Sequence, residues 1–124
     1  MNVVPSQQFN GLTPAQAERL FYLLEELGEA QQAIGKILRH GYESRDPTKA
    51  TPKFDDNRGG QDGWRNTSPT NRENLTSELG DVQRAIYMLC EASDISEARM
   101  NATVAKGAPT KYMHHQSVSQ PVNT

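Results

Sequence analysis

Residues 13–41 read TPAQAERLFYLLEELGEAQQAIGKILRHG, and their pattern predicts the first and longest helix of the chain. Thr13 is a good helix cap, Pro14 suits the first helical position, and Gln16 stands where a capping box places its third residue. Side chains then recur at helical spacing in one mainly apolar stripe, which consists of Leu20, Leu24, Leu27, Gln31, Ile34 and Leu38. The pattern predicts a helix over 14–40, about 40 Å long at ~1.5 Å per residue.

Two further helices are predicted downstream. Asn71 can cap a helix over about 72–92. The apolar stripe of this helix consists of Leu75, Leu79, Val82, Ile86 and Leu89. Asp94 begins a capping-box pattern for a third helix, which runs to about Lys106. Because residues 41–72 are rich in proline and glycine, we interpret them as a long loop without strands. The predicted fold class is therefore all-α, with two long helices and a shorter third.

The composition predicts a small hydrophobic core. Of the 124 residues, 35% are hydrophobic, whereas average globular chains contain ~45–50% apolar residues when glycine is counted. We predict one helical domain over 1–106 and a loosely held C-terminal tail over 107–124. A helix about 40 Å long exceeds the thickness of so small a monomeric core. We therefore expect a homo-oligomer, either a dimer or a tetramer, to complete the core.

Charge and hydropathy exclude several classes of partner. The net charge of −2 lacks the basic field that binding to a nucleic-acid backbone requires. No run of ~18 apolar residues exists, so we expect no membrane span. The first residues lack the pattern of a signal peptide, and the single cysteine, Cys90, cannot form an internal disulfide. We expect a cytoplasmic protein.

The two long helices each carry a pair of carboxylates. Glu26 and Glu29 are three positions apart, as are Glu78 and Asp81, and this spacing places both members of a pair on one helix face. Glu25 is a further carboxylate beside the first pair. No lysine or arginine stands one turn after the first pair, so neither of its members has a local cation.

If the two apolar stripes pack together, the four carboxylates converge in the groove between the helices. Burying them unpaired would be very costly. A hard divalent cation such as Mg²⁺ resolves that cost, because it prefers carboxylate and other oxygen ligands. The alternative is an ordinary solvated acidic face on each helix.

The acidic sequences resemble those of a known superfamily. LEELGE at 24–29 and ELGD at 78–81 resemble the paired E-E-x-x-E and E-x-x-D motifs of the all-α nucleoside triphosphate pyrophosphohydrolases, the MazG-like superfamily. The stretch KILRHG at 36–41 is similar to one in phage-encoded and bacterial members. The resemblance covers about residues 14–106. It implies a MazG-like helical bundle that converts a (deoxy)nucleoside triphosphate to the monophosphate and pyrophosphate.

The resemblance also implies roles for individual residues. The ligands of Mg²⁺, for which Mn²⁺ could substitute, would be Glu26, Glu29, Glu78 and Asp81. Glu25 would help to bind the metal or accept a proton from the attacking water. The candidate contacts to the nucleotide come partly from the residues themselves: Lys36 and Arg39 are cations that follow Glu29 on the first helix, and the Trp64 ring could stack on a base. Asn101 and Lys106 lie on the predicted third helix, where the family often has residues that contact phosphate. The two motifs are further apart than is usual in the family, which leaves two roles open for the loop 41–72. It either folds over the bound nucleotide and contributes to base choice, or is a tolerated insertion that is flexible or packs against a neighbouring subunit.

Two other functions remain open at this point. The chain could be a non-catalytic, oligomeric helical interaction module whose acidic faces are only solvated. A carboxylate di-iron bundle is the second alternative, but it would need Glu-x-x-His pairs, and neither acidic motif contains a histidine.

Overall fold

The structure, a computed structural model, describes residues 9–55 and 60–107. Helix α1 spans Pro14–His40, a 3-10 turn spans Pro47–Lys49, strands β1 and β2 span Thr51–Asp55 and Gly60–Arg65, α2 spans Asn71–Glu91 and α3 spans Glu97–Ala105. The mainly helical class is thus confirmed. The antiparallel hairpin β1–β2 corrects the prediction that the segment between the long helices contains no strands.

The chain divides into two compact units, with the boundary between Asp94 and Ile95. The first unit contains α1, the hairpin and α2, and the second contains α3. A single domain over 1–106 stays a prediction. The predicted tail lies outside the described residues, apart from Gly107.

Helix α1 begins and ends as its sequence predicts. The Thr13 hydroxyl accepts a hydrogen bond from the Gln16 backbone at 3.2 Å, and the Gln16 side chain accepts one from the Thr13 backbone at 2.9 Å. Gly41 ends the helix with a φ of 86°, a left-handed value that favours glycine. Its N–H donates to the Ile37 carbonyl at 2.7 Å.

The caps of the other two helices differ from those predicted. Thr70, not Asn71, caps α2, and it forms a reciprocal capping box with Glu73 in which both hydrogen bonds measure 3.1 Å. Ser96, not Asp94, caps α3. Asp94 instead accepts two hydrogen bonds from the Arg19 guanidinium, at 2.6 and 3.2 Å. This pairing lowers the pKa of the Asp94 carboxyl, chiefly through the hydrogen bonds.

Helices α1 and α2 run antiparallel. Arg19, near the start of α1, binds Asp94 just after α2, and the Asn71 amide at the start of α2 donates to the Gly41 carbonyl just after α1, at 3.1 Å. The buried apolar side chains are few and mostly small: Ala17, Ala30, Ala33, Ala85 and Leu89. Small side chains allow the two backbones to approach closely.

The large apolar stripe of α1 does not form this contact. Its leucines and isoleucine are between 42 and 81% exposed, and Phe21 beside them is 68% exposed. The buried face of α1 is instead the adjacent one, which carries Glu26 together with Ala17, Ala30 and Ala33. The large stripe of α1 is therefore not buried within one chain.

The segment after α1 is held against the start of α2. The Asn71 and Arg72 backbone N–H groups donate to the carbonyls of Ser44 and Tyr42, at 2.8 and 2.9 Å. Arg72 also forms an ion pair with Glu43 at 2.8 Å. This part of the chain is thus an ordered connection, which corrects the prediction of a long loop. Among the described helices, none is both long and apolar enough for a transmembrane segment.

Candidate metal centre

Four carboxylates from α1 and α2 meet between the two helices. They are Glu26, Glu29, Glu78 and Asp81, called the carboxylate cluster below, and one oxygen of each lies within 4.8 Å of those of the other three. The two i, i+3 pairs predicted from the sequence therefore face each other. Glu26 lies on the buried alanine face of α1, so the convergence arises from that face and not from the exposed apolar stripe.

Two of these carboxylates are costly to bury as anions. Glu26 is only 9% exposed, and its Oε2 and the Oε2 of Glu78 are buried with no hydrogen-bond partner among the described residues. Burial raises the pKa of the Glu26 carboxyl, and the negative charges of Glu29 and Asp81 raise it further. Burial likewise raises the pKa of Glu78, and so does its interaction with Glu29.

The donor set indicates which kind of ion fits. All four ligands offer carboxylate oxygens, which suit hard cations such as Mg²⁺, Mn²⁺ or Ca²⁺ better than softer metals that prefer nitrogen or sulfur. A divalent cation would satisfy the two orphan oxygens and offset the repulsion between the four carboxylates. The residues present therefore fit a divalent metal ion.

Positive charge reaches the cluster from two sides. Arg84 lies 3.2 Å from Asp81 and donates to the Tyr22 hydroxyl at 3.4 Å. Lys36 lowers the pKa of Glu78, against the larger opposing effects. A pocket of about 320 Å³ extends from the cluster and is lined by Glu29, Gln32, Ala33, Lys36, Asn71, Asn74 and Glu78. Lys36 thus lines the same pocket as two of the carboxylates.

No protein-family model, curated protein or solved structure matches this chain. A functional assignment therefore depends on the geometry of its own residues.

Of the other candidate residues in the first unit, the structure brings only Arg39 into a pocket with Lys36, and this pocket neighbours the one beside the cluster. Glu25 is exposed on α1 and is not one of the four clustered carboxylates. Trp64 lies on β2, is 66% exposed and does not line either of these two pockets.

The last two candidates lie in the second compact unit. Asn101 is exposed on α3, and Lys106 is the C-cap residue of that helix. The carboxylate cluster belongs to the first unit. A contact of these two residues with a nucleotide stays a prediction.

Sequence reasoning missed three polar residues of the site. Gln32, Asn71 and Asn74 all line the pocket beside the cluster. Their spacing carried a usable signal, because Gln32 stands three residues after Glu29, and Asn74 stands four residues before Glu78. Both intervals place side chains on one helix face.

Proposed function

We propose that the chain is an Mg²⁺-dependent nucleoside triphosphate pyrophosphohydrolase of the MazG-like type, which converts a (d)NTP to the (d)NMP and pyrophosphate. The observation that supports this most directly is the carboxylate cluster, with its four oxygens within 4.8 Å and its two buried, unpartnered oxygens. The second support is the resemblance of the two acidic motifs, in their order along the chain, to those of the MazG-like superfamily. Mn²⁺ is the expected substitute for Mg²⁺.

The cluster would hold the metal, whose charge would neutralise the phosphate oxygens and lower the pKa of a bound water. The oxygen of a water molecule attacks the α-phosphorus. The bond from that phosphorus to the oxygen that bridges the α- and β-phosphates breaks, and pyrophosphate leaves. The proton of the water passes to a carboxylate. Glu25 is the candidate acceptor, because it stands beside Glu26 on α1 but is exposed and outside the four-membered cluster.

Lys36 brings a positive charge to this site. Its side chain lines the pocket that also contains Glu29 and Glu78. Phosphoryl transfer depends mainly on charge neutralisation and positioning. We assign Lys36 to the polyphosphate for that reason.

The test is a panel of NTPs and dNTPs assayed for pyrophosphate release with Mg²⁺ and with EDTA. We expect release of pyrophosphate and a nucleoside monophosphate from at least one nucleotide, with no release in EDTA. Metal binding without turnover of any nucleotide would refute the enzyme. Failure to bind either metal or nucleotide would favour the helical interaction module. An enzyme of free nucleotides also agrees with the predicted cytoplasmic location.

We also propose that the active form is a homo-oligomer. The stripe of α1 exposes large apolar side chains, including Leu24 at 66% and Leu38 at 81%, while the described core contains mainly alanines. Contiguous exposed apolar surface of this kind marks an interaction site. A second copy would cover the stripe of one chain with that of another.

Sedimentation of the purified protein tests this assembly. We expect the wild-type protein to sediment as a dimer or a tetramer, and Phe21→Glu to shift it toward the monomer, because a charge would be buried in the interface. Phe54→Glu is the matched control, since Phe54 lies on β1 and is similarly exposed, at 62%. A wild-type monomer at micromolar concentration contradicts the proposal.

A further inference from the structure

A second pocket adjoins the one that contains the carboxylates, and its charge is opposite. It has a volume of about 400 Å³ and shares Lys36, Asn71 and Asn74 with the first pocket. Its remaining basic side chains are Arg39 and His40 from the end of α1 and Arg45 from the segment that follows. The two adjoining pockets are together called the groove below, and its acidic end carries Glu29 and Glu78 whereas its other end is basic.

The basic end is called the basic pocket below. Hydrogen bonds hold the backbone segments that form it. The Asn71 side chain is only 7% exposed and donates to the Gly41 carbonyl, and the Asn71 backbone N–H donates to the Ser44 carbonyl. Arg45 donates to the Ser68 carbonyl and also pairs with Thr70 through the backbone. The basic side chains are thus presented by ordered elements.

The acidic residue in this pocket is already engaged by its neighbours. The Asp46 carboxylate accepts hydrogen bonds from the Thr48 backbone and hydroxyl, at 2.9 and 2.7 Å. These bonds lower the pKa of Asp46, with a smaller contribution from the charge of Lys36. Lys36 therefore acts on an acid at each end of the groove, Glu78 at one and Asp46 at the other. It stands where the two pockets meet.

The lining of the basic pocket matches phosphate better than a nucleobase. Three of its side chains carry positive charge, namely Lys36, Arg39 and Arg45, and asparagine amides supply further donors. Among the described residues that line it, none is phenylalanine, tyrosine or tryptophan, so these residues offer no benzene or indole ring for stacking on a base. One guanidinium group can donate two parallel hydrogen bonds to two oxygens of the same phosphate.

We propose that the basic pocket binds the diphosphate end of the nucleoside triphosphate, the part that leaves as pyrophosphate. This inference rests on the proposed function and adds the orientation in which the nucleotide lies in the groove. The bond that breaks lies at the metal end of the groove, the β- and γ-phosphates extend past Lys36 toward Arg39, and the nucleoside extends away from the basic pocket. Free pyrophosphate is then a ligand of the same pocket.

Calorimetric titration with inorganic pyrophosphate in EDTA and low salt tests the proposal on the full-length protein. We expect the wild-type protein to bind pyrophosphate more tightly than a nucleoside monophosphate. Arg39→Gln should weaken this binding about tenfold or more, because a charge-assisted contact is lost. Arg65→Gln is the matched control, since Arg65 is exposed on β2 and does not line the pocket, and it should leave the affinity unchanged.

Glu78→Gln separates this inference from the proposed function. The variant should lose pyrophosphate release from nucleotides yet bind free pyrophosphate at least as well as the wild-type protein, because a negative charge near the groove is removed. If neither the wild-type protein nor any variant binds pyrophosphate, but the wild-type enzyme hydrolyses nucleotides, the assignment of the basic pocket is wrong and the proposed function stands. Equal binding by the wild-type protein and Arg39→Gln also overturns the assignment. Binding that depends on Arg39 without any turnover supports the pocket and refutes the enzyme.

Discussion

Replacing any one carboxylate of the cluster by its amide is expected to remove most of the Mg²⁺-dependent pyrophosphate release while the helices stay folded. The variants are Glu26→Gln, Glu29→Gln, Glu78→Gln and Asp81→Asn. Each removes one anionic ligand from a set whose oxygens lie within 4.8 Å of one another. Since loss of a residue that only supports a metal ligand costs 10–100-fold, loss of a ligand itself should reduce kcat/KM by about 100-fold or more. The assay is pyrophosphate release, with circular dichroism as the check on folding.

Two further variants on α1 make this result specific. Glu18→Gln removes the same charge from an exposed position of α1 outside the cluster, and it should retain wild-type turnover. Glu25→Gln should lower kcat while Mg²⁺ affinity stays within a few-fold of that of the wild-type enzyme, if Glu25 accepts the proton. Normal turnover by any two of the four cluster variants would rule out the metal site.

The sequence predicted the local parts of this site well, because they depend on neighbours within a single helix. The bounds of α1, its capping box with Gln16 and the i, i+3 pairing of carboxylates all follow from helical periodicity and short-range hydrogen bonds. A pair such as Glu26 and Glu29 shares a face in any helix. The convergence of the two pairs was correct, although the helices meet through a different face than the one expected.

The face of contact could not be predicted because two faces of α1 are apolar. The larger stripe, with Leu24 and Leu38, has the stronger hydrophobic signal, yet the smaller side chains Ala30 and Ala33 are the buried ones. Which face turns inward depends on the distance between the helices and on surfaces outside the chain. Periodicity alone does not contain that information.

The connection between the helices was missed for a related reason. Its order comes from contacts between distant positions, such as the Asn71 N–H to the Ser44 carbonyl and the pairing of Arg72 with Glu43. The hairpin has a register shift between Pro52 and Phe54 and a left-handed glycine at Gly63, so its strands show no clean alternation. Backbone hydrogen bonds of this kind leave no trace in residue composition. Asn71 was interpreted only as the cap of the second helix, and Asn74 was overlooked although it lies within that predicted helix, one turn before Glu78.

The second large effect is on stability without metal. In EDTA at about pH 8, Glu26→Gln is expected to melt at a higher temperature than the wild-type protein. Glu26 is 9% exposed, its Oε2 lacks a partner among the described residues, and it faces three other carboxylates. The amide removes the buried charge and its repulsion, although it keeps nearly the same shape.

The pH dependence of this difference has a definite sign. The folded-state pKa of Glu26 is raised above its ordinary value of 4.5, so folding favours the protonated form. Below that ordinary value the carboxyl is protonated in both the folded and the unfolded state, so its ionisation does not reduce the stability of the fold. As the pH rises from 4.5 through the raised pKa, the folded state must ionise against its surroundings, and wild-type stability falls relative to the variant. The difference in stability between Glu26→Gln and the wild-type protein should therefore vanish at about pH 4 and be largest above neutrality.

Adding Mg²⁺ should reverse the order at pH 8. A cation that binds only the folded state stabilises it by about 2.7 kcal/mol at 100 times its Kd, and the wild-type cluster has the full set of ligands. The wild-type melting temperature should rise with Mg²⁺ concentration, whereas that of Glu26→Gln should rise far less. Glu18→Gln, which keeps the cluster intact, should follow the wild-type protein in both buffers. If the wild-type protein is the more stable of the pair in EDTA at pH 8, Glu26 is stabilised by the protein alone, and the cluster is a structural network that needs no metal.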